Sequence, residues 1–118
     1  MNQNNYLCKK IFMIIYNTTY FVESEIANEW LDWFQDEHIA KHLEHQHFQG
    51  ARLTKLLTNQ QEGVDSYSMQ LFCENQAKLM QFKKDILPYL QTESLKKFGT
   101  KVLSFETEME HLRDFEAN

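Results

Sequence analysis

Four of the chain's five histidines fall in one stretch, Ser24 to His47, together with both tryptophans. His38, His42, His45 and His47 recur at short spacings with Glu37 and Glu44 between them. Imidazole titrates near neutral pH, so it serves as a general acid, a general base or a metal ligand. His38 is the sharpest catalytic candidate, since it stands near the end of an apolar helical stripe where a pocket between helix and sheet would lie. Against that role, no second catalytic partner is fixed by spacing, and a half-buried histidine bonded to a nearby carbonyl is the commoner outcome. His38, His42 and His45 are weak metal candidates, because imidazoles one turn apart can share an ion. No HExxH pattern or further ligand accompanies them, so a solvated, histidine-rich helix end is expected rather than a metal centre.

Four other side chains could contact a ligand. Trp30 and Trp33 could wall a small-molecule cavity, although aromatics at helical spacing are more often core. Tyr67, like Tyr16, has a phenol that could reach a pocket. Arg52 is expected on the sheet face away from the helices, beside Glu106, where it could pair across a dimer or hold an anion. Cys73 falls on the face read as core and is expected to be an inert thiol. The chain has no glycine-rich phosphate loop, CxxC pair or serine-centred elbow. The residues specify no cofactor.

The elements that must position these groups follow from periodicity. A chain of 118 residues forms one domain with a real core. Residues 1–11 are polar and amide-rich and read as a disordered leader, with Met13 a possible start. Residues 12–112 form the domain, and 113–118 a polar tail. Phe12 to Val22 is a strand by its β-branched and aromatic content, apolar on both faces. Met13 and Ile15 are expected to face the helices. Ser24 can cap a single long helix, whose stripe is Ile26, Trp30, Trp33, Phe34 and the stem of Glu37. Ala51 to Thr58 and Ser66 to Glu74 alternate as a hairpin pair, with Tyr67, Met69, Leu71 and Cys73 on one face. Asn75 caps a second helix, which Pro88 should kink or break and Gly99 should end. Lys101 to Met109 is the last strand, with Leu103, Phe105 and Met109 on one face and Ser104, Glu106 and Glu108 on the other.

The order βαββαβ predicts an α+β, ferredoxin-like sandwich. Two right-handed crossovers give a four-stranded antiparallel sheet in the order 4-1-3-2, with two helices on one face. The face without helices then needs cover, and a second copy of the chain is the simplest source. The patch is expected to hold Phe12, Ile14, Tyr16, Tyr20 and Phe72, rimmed by Arg52, Thr54, Glu106 and Glu108.

Several segments also carry a resemblance. Ile14-Ile15-Tyr16-Asn17, Glu29-Trp30-Leu31-Asp32-Trp33, Glu37-His38-Ile39, Ala51-Arg52-Leu53, Tyr67-Ser68-Met69-Gln70, Phe98-Gly99 and Phe105-Glu106-Thr107-Glu108 are the residues concerned. With them the chain resembles, over roughly Met13 to Leu112, a small bacterial family of domains of unknown function in the dimeric α/β-barrel superfamily. The resemblance implies a ferredoxin-like homodimer. Related barrels include monooxygenase-like, dehalogenase-like and haem-handling proteins, many with His-Ile-Pro late in the first helix. Here the match is His38-Ile39-Ala40.

Composition excludes some functions. A formal charge of −5 without a basic stripe argues against nucleic acid as a partner. No stretch is long enough to span a bilayer, and the short run after Lys9-Lys10 does not make a signal peptide. Cys8 and Cys73 suggest reduced thiols in the cytoplasm. The expected function is a dimeric barrel module, non-catalytic or binding a small ligand between helices and sheet. The alternative is a cofactor-independent or haem-associated, monooxygenase-like enzyme using His38.

Overall fold

The computed structural model describes residues 14–58 and 61–118. The leader expected over residues 1–11 and the strand start at Phe12 lie outside the described residues. Strand β1 (Ile14–Glu23) leads through a tight 3-10 turn (Ser24–Ile26) into helix α1 (Ala27–Trp33). A π-turn (Phe34–His38) joins α1 to helix α2 (Ile39–Leu43). Strands β2 (Phe48–Lys55) and β3 (Val64–Cys73) follow as a hairpin. Helices α3 (Gln76–Asp85) and α4 (Leu87–Phe98) and a 3-10 turn (Gly99–Lys101) then lead to strand β4 (Val102–Glu110). Residues 111–118 carry no helix or strand.

The sheet order is β2-β3-β1-β4 with every neighbouring pair antiparallel. Read from the other edge this is the expected 4-1-3-2, and the fold is the ferredoxin-like α+β sandwich. Asn75 accepts from the Lys78 N–H at 2.9 Å and caps α3, as its residue type suggests. Pro88 breaks the second helix into α3 and α4 and sits in the first turn of α4, where its missing N–H is harmless. Gly99, at φ 60°, ends α4 in a backbone region that favours glycine.

Three expectations need correction. First, the parity of β1 is reversed. Ile14, Tyr16, Thr18 and Val22 are buried beneath the helices, and Tyr20 packs on Trp30 and Phe34 at ring separations of 5.2 and 5.4 Å. The cause is register, since directly opposed residues share a sheet face. Ile14, Tyr16, Thr18 and Tyr20 stand opposite Cys73, Leu71, Met69 and Tyr67, whose core side is unambiguous. The assembly patch therefore does not contain Ile14, Tyr16 or Tyr20. The helix-free face of the sheet instead carries Ile15, Phe21, Phe72, Leu103, Phe105 and Met109, with Phe21 stacked on Phe105 at 5.8 Å.

Second, Glu106 and Glu108 are paired with Thr18 and Tyr16 and so lie on the helix side, not on the rim of the open face. Arg52 and Thr54, opposite Gln70 and Ser68, do lie on the open face. Arg52 and Glu106 are therefore on opposite sides of the sheet.

Third, Ser24–His47 is not one regular helix. The Ser24 hydroxyl donates to Asp65 at 2.9 Å instead of capping α1. In the π-turn the Ile39 N–H donates to the Phe34 carbonyl, five residues back. Residues five apart then share a face, so Trp33 stacks on His38 with centroids 4.2 Å apart and planes at 25°. A continuous α-helix would instead set Trp33 over Glu37, which is exposed here.

Candidate functional site

The π-turn and the β1 register together build a cavity of about 260 Å³ between the helices and the β1/β4 half of the sheet. β1 contributes Tyr16, Thr18 and Tyr20, and β4 contributes Ser104 and Glu106. The π-turn and α2 contribute His38 and His42, and α4 contributes Leu90, Gln91 and Leu95. Leu95 and Glu106 are exposed and mark the solvent side.

His38 is only 4% exposed. Its Nδ1 lies 3.3 Å from Glu93 Oε1, so in the neutral ring Nδ1–H donates to the carboxylate and Nε2 is left as the basic nitrogen. Lys41 donates to the other Glu93 oxygen at 2.6 Å, and the Tyr89 hydroxyl donates to it at 3.2 Å. Burial pushes the His38 imidazole below its ordinary value, and the Glu93 contact opposes that shift. The Lys41 hydrogen bond in turn holds the Glu93 carboxyl below the usual range. Trp33 fixes the ring plane by stacking, so His38 is oriented from two sides.

His42 donates from Nδ1 to the His38 carbonyl at 2.9 Å, which leaves Nε2 to accept. Burial, reinforced by the neighbouring His38, pushes its imidazole down to about 4. Both rings are therefore neutral at pH 7, and they meet edge-to-face at 4.8 Å. The Tyr16 hydroxyl is buried without a hydrogen-bond partner among the described residues. Burial, then the nearby Glu106 and Glu108 charges, push its phenol well above the ordinary range. Tyr20 is shifted the same way, mainly by burial. The site thus offers two protonated phenols, two neutral imidazoles and one carboxylate.

The sequence-derived candidates divide cleanly. His38 lines the cavity. Trp33 lies behind it, in contact with His38 and, edge-on at 5.2 Å, with Phe98. Trp30 and Tyr67 are buried against each other at 5.0 Å, and neither lines the cavity. Arg52 stands over the Phe72 ring at 5.4 Å, on the other side of the sheet. The weak metal set does not converge. His42 has one nitrogen committed to a carbonyl, and exposed His45 pairs with Glu44 at 3.5 Å. Among the described residues no group of three potential ligands could hold a metal ion. His47 is buried with Nδ1 unpartnered among them, beside Phe82, and burial lowers its pKa.

Sequence reasoning missed Glu93, His42 as a wall, and Glu106 as a helix-side residue. Tyr89 and Glu93 stand four apart on one helix, which is readable; their meeting with His38 and Lys41 depends on how two helices pack. The cavity is small, just under the roughly 300–1,000 Å³ typical of pockets for drug-sized ligands, and the Glu106 carboxylate at its solvent side disfavours the propionates of a haem.

A family model described as "Domain of unknown function (DUF4286)" matches residues 13–112. No curated protein sequence matches the chain. Among solved structures, an ethyl tert-butyl ether d (EthD) family protein from Bacillus halodurans superposes with a TM-score of 0.64 at 11% identity, covering 85% of this chain and 100% of that one. A candidate antibiotic biosynthesis monooxygenase from Bacillus cereus gives 0.62 at 12%, covering 90% and 99%. A dimeric ferredoxin-like protein from an uncultured marine organism gives 0.57 at 9%, covering 88% and 99%. At such identities the likeness is one of fold.

Proposed function

We propose that this chain, which belongs to the DUF4286 family, is a dimeric module that binds a small organic ligand in its helix-side cavity. The observation that carries the reading is the Tyr16 hydroxyl. It is buried, lines the cavity and lacks a partner among the described residues. A buried, unpaired hydroxyl is costly unless a ligand or water completes it. His42 Nε2 and the Tyr20 phenol add an acceptor and a donor to the same space. His38, His42, Tyr16, Tyr20 and Glu106 are the proposed binding residues, with Trp33 holding His38 and Trp30 and Tyr67 backing Tyr20. A metabolite thermal-shift screen tests this. Hits should shift the amide resonances of β1 and α4, and Leu95→Trp, which fills the mouth, should abolish them. A screen with no hits, or hits insensitive to Leu95→Trp, overturns the reading.

The assembly proposed is a sheet-to-sheet homodimer. Leu103 and Phe105 are 58% and 51% exposed on the helix-free face, and at roughly 25 cal/mol per Å² covering several such side chains supplies several kcal/mol before association entropy. Two structural neighbours are described as dimeric ferredoxin-like proteins. Membrane insertion by helix is not supported, because no described helix is long and apolar enough to cross. A cytoplasmic setting agrees with the buried free thiol of Cys73, which donates to the His47 carbonyl at 3.3 Å.

A second reading, favoured by the His38–Glu93 contact, is a barrel enzyme in which His38 Nε2 takes a proton from the bound ligand. Glu93 would stabilise the imidazolium that forms. His38→Gln should then abolish turnover of a screened ligand while leaving its binding within a few-fold; equal turnover rejects this role.

A further inference from the structure

We infer that the cavity takes an organic ammonium, a cation on a compact aromatic or aliphatic body, and that Glu106 selects it. This rests on the reading that the cavity binds a small ligand, and adds that ligand's charge. Among the described residues lining the cavity, Glu106 is the only carboxylate and there is no lysine or arginine. The cations nearby are already neutralised: Lys83 pairs with Glu108, and Lys41 with Glu93. Glu106 has no ion-pair partner among the described residues. The two lining histidines are held neutral by burial and supply no positive charge at pH 7.

Hydrogen-bonding capacity points the same way. An ammonium brings donors and no acceptor. The cavity answers with the Glu106 carboxylate, His42 Nε2, and the oxygens of Tyr16, Thr18 and Ser104. Aromatic faces attract cations as well. An anion would find phenol and hydroxyl donors but no balancing charge, and would meet Glu106.

The test compares three probes of one shape on the full chain: 2-phenylethylamine, 2-phenylethanol and phenylacetate. Affinities are measured by calorimetry and the site by amide shifts of β1 and β4. The amine should bind about tenfold tighter than phenylacetate, the scale expected of one partly solvated charge contact. Glu106→Gln should shrink that ratio to about threefold or less, while Glu62→Gln, exposed and not among the lining residues, leaves it intact. Equal or tighter binding of phenylacetate, or a ratio unmoved by Glu106→Gln, overturns the assignment. So does failure of all three probes; the broader reading is decided separately, by the metabolite screen and its Leu95→Trp control.

Discussion

The two faces of β1 differ in a way that composition does not announce. The helix side carries Ile14, Tyr16, Thr18, Tyr20 and Val22; the open side carries Ile15, Asn17, Thr19 and Phe21. Both mix apolar and polar residues. Only the first builds a concave, chemically varied space, because β4 sets Ser104 and Glu106 beside it and the π-turn sets His38 above it. On the other side, β4 sets Leu103, Phe105 and Met109 beside Ile15 and Phe21, and the result is an apolar sheet surface. One strand therefore serves a ligand site on one face and an association surface on the other, and its neighbours decide which is which.

The largest effect should come from exchanging the two environments. Tyr16→Glu places a charge at a position 1% exposed and should unfold the chain, a loss of about 3 kcal/mol or more. Phe105→Glu on the open face should leave the fold intact and abolish the dimer. Circular dichroism and sedimentation read the two outcomes. If Tyr16→Glu stays folded as a monomer and Phe105→Glu stays dimeric, the faces have been assigned the wrong way round.

A smaller effect concerns pH. His42 is depressed from its ordinary 6.5 to about 4 in the folded chain, and His38 is lowered as well. The unfolded chain therefore binds more protons between these values, so stability rises with pH across that window. The stabilising effect of neutral His42 is present above about 6.5 and is lost as pH falls toward about 4. Urea denaturation across this range should show the slope, and His42→Gln should flatten it relative to the parent. An unchanged slope would assign the acid sensitivity elsewhere.

The smallest effect is Tyr16→Phe, which removes only the unpartnered oxygen. The unliganded chain should gain about 1 kcal/mol or stay unchanged, since the buried hydroxyl lacks a protein partner among the described residues. Ligand affinity should fall several-fold. A clear loss of stability would show that the hydroxyl is bonded in the apo protein.

The sequence by itself determined the order of elements, the sheet topology, and the breaks at Asn75, Pro88 and Gly99, because these rest on local patterns: alternation, capping and proline geometry. It also marked His38, since an imidazole at the edge of an apolar stripe stands out. Two matters belonged to the tertiary structure alone. The facing of β1 is degenerate in a strand with apolar residues on both sides, and only its register with Tyr67, Met69, Leu71 and Cys73 fixes it. The surroundings of His38 depend on a π-turn that aligns residues five apart and on a second helix that brings Glu93 within 3.3 Å. An amphipathic stripe repeats on the α-helical period, so it cannot reveal where one turn departs from it. Nor can one helix's sequence name the carboxylate that another delivers across 55 positions of chain.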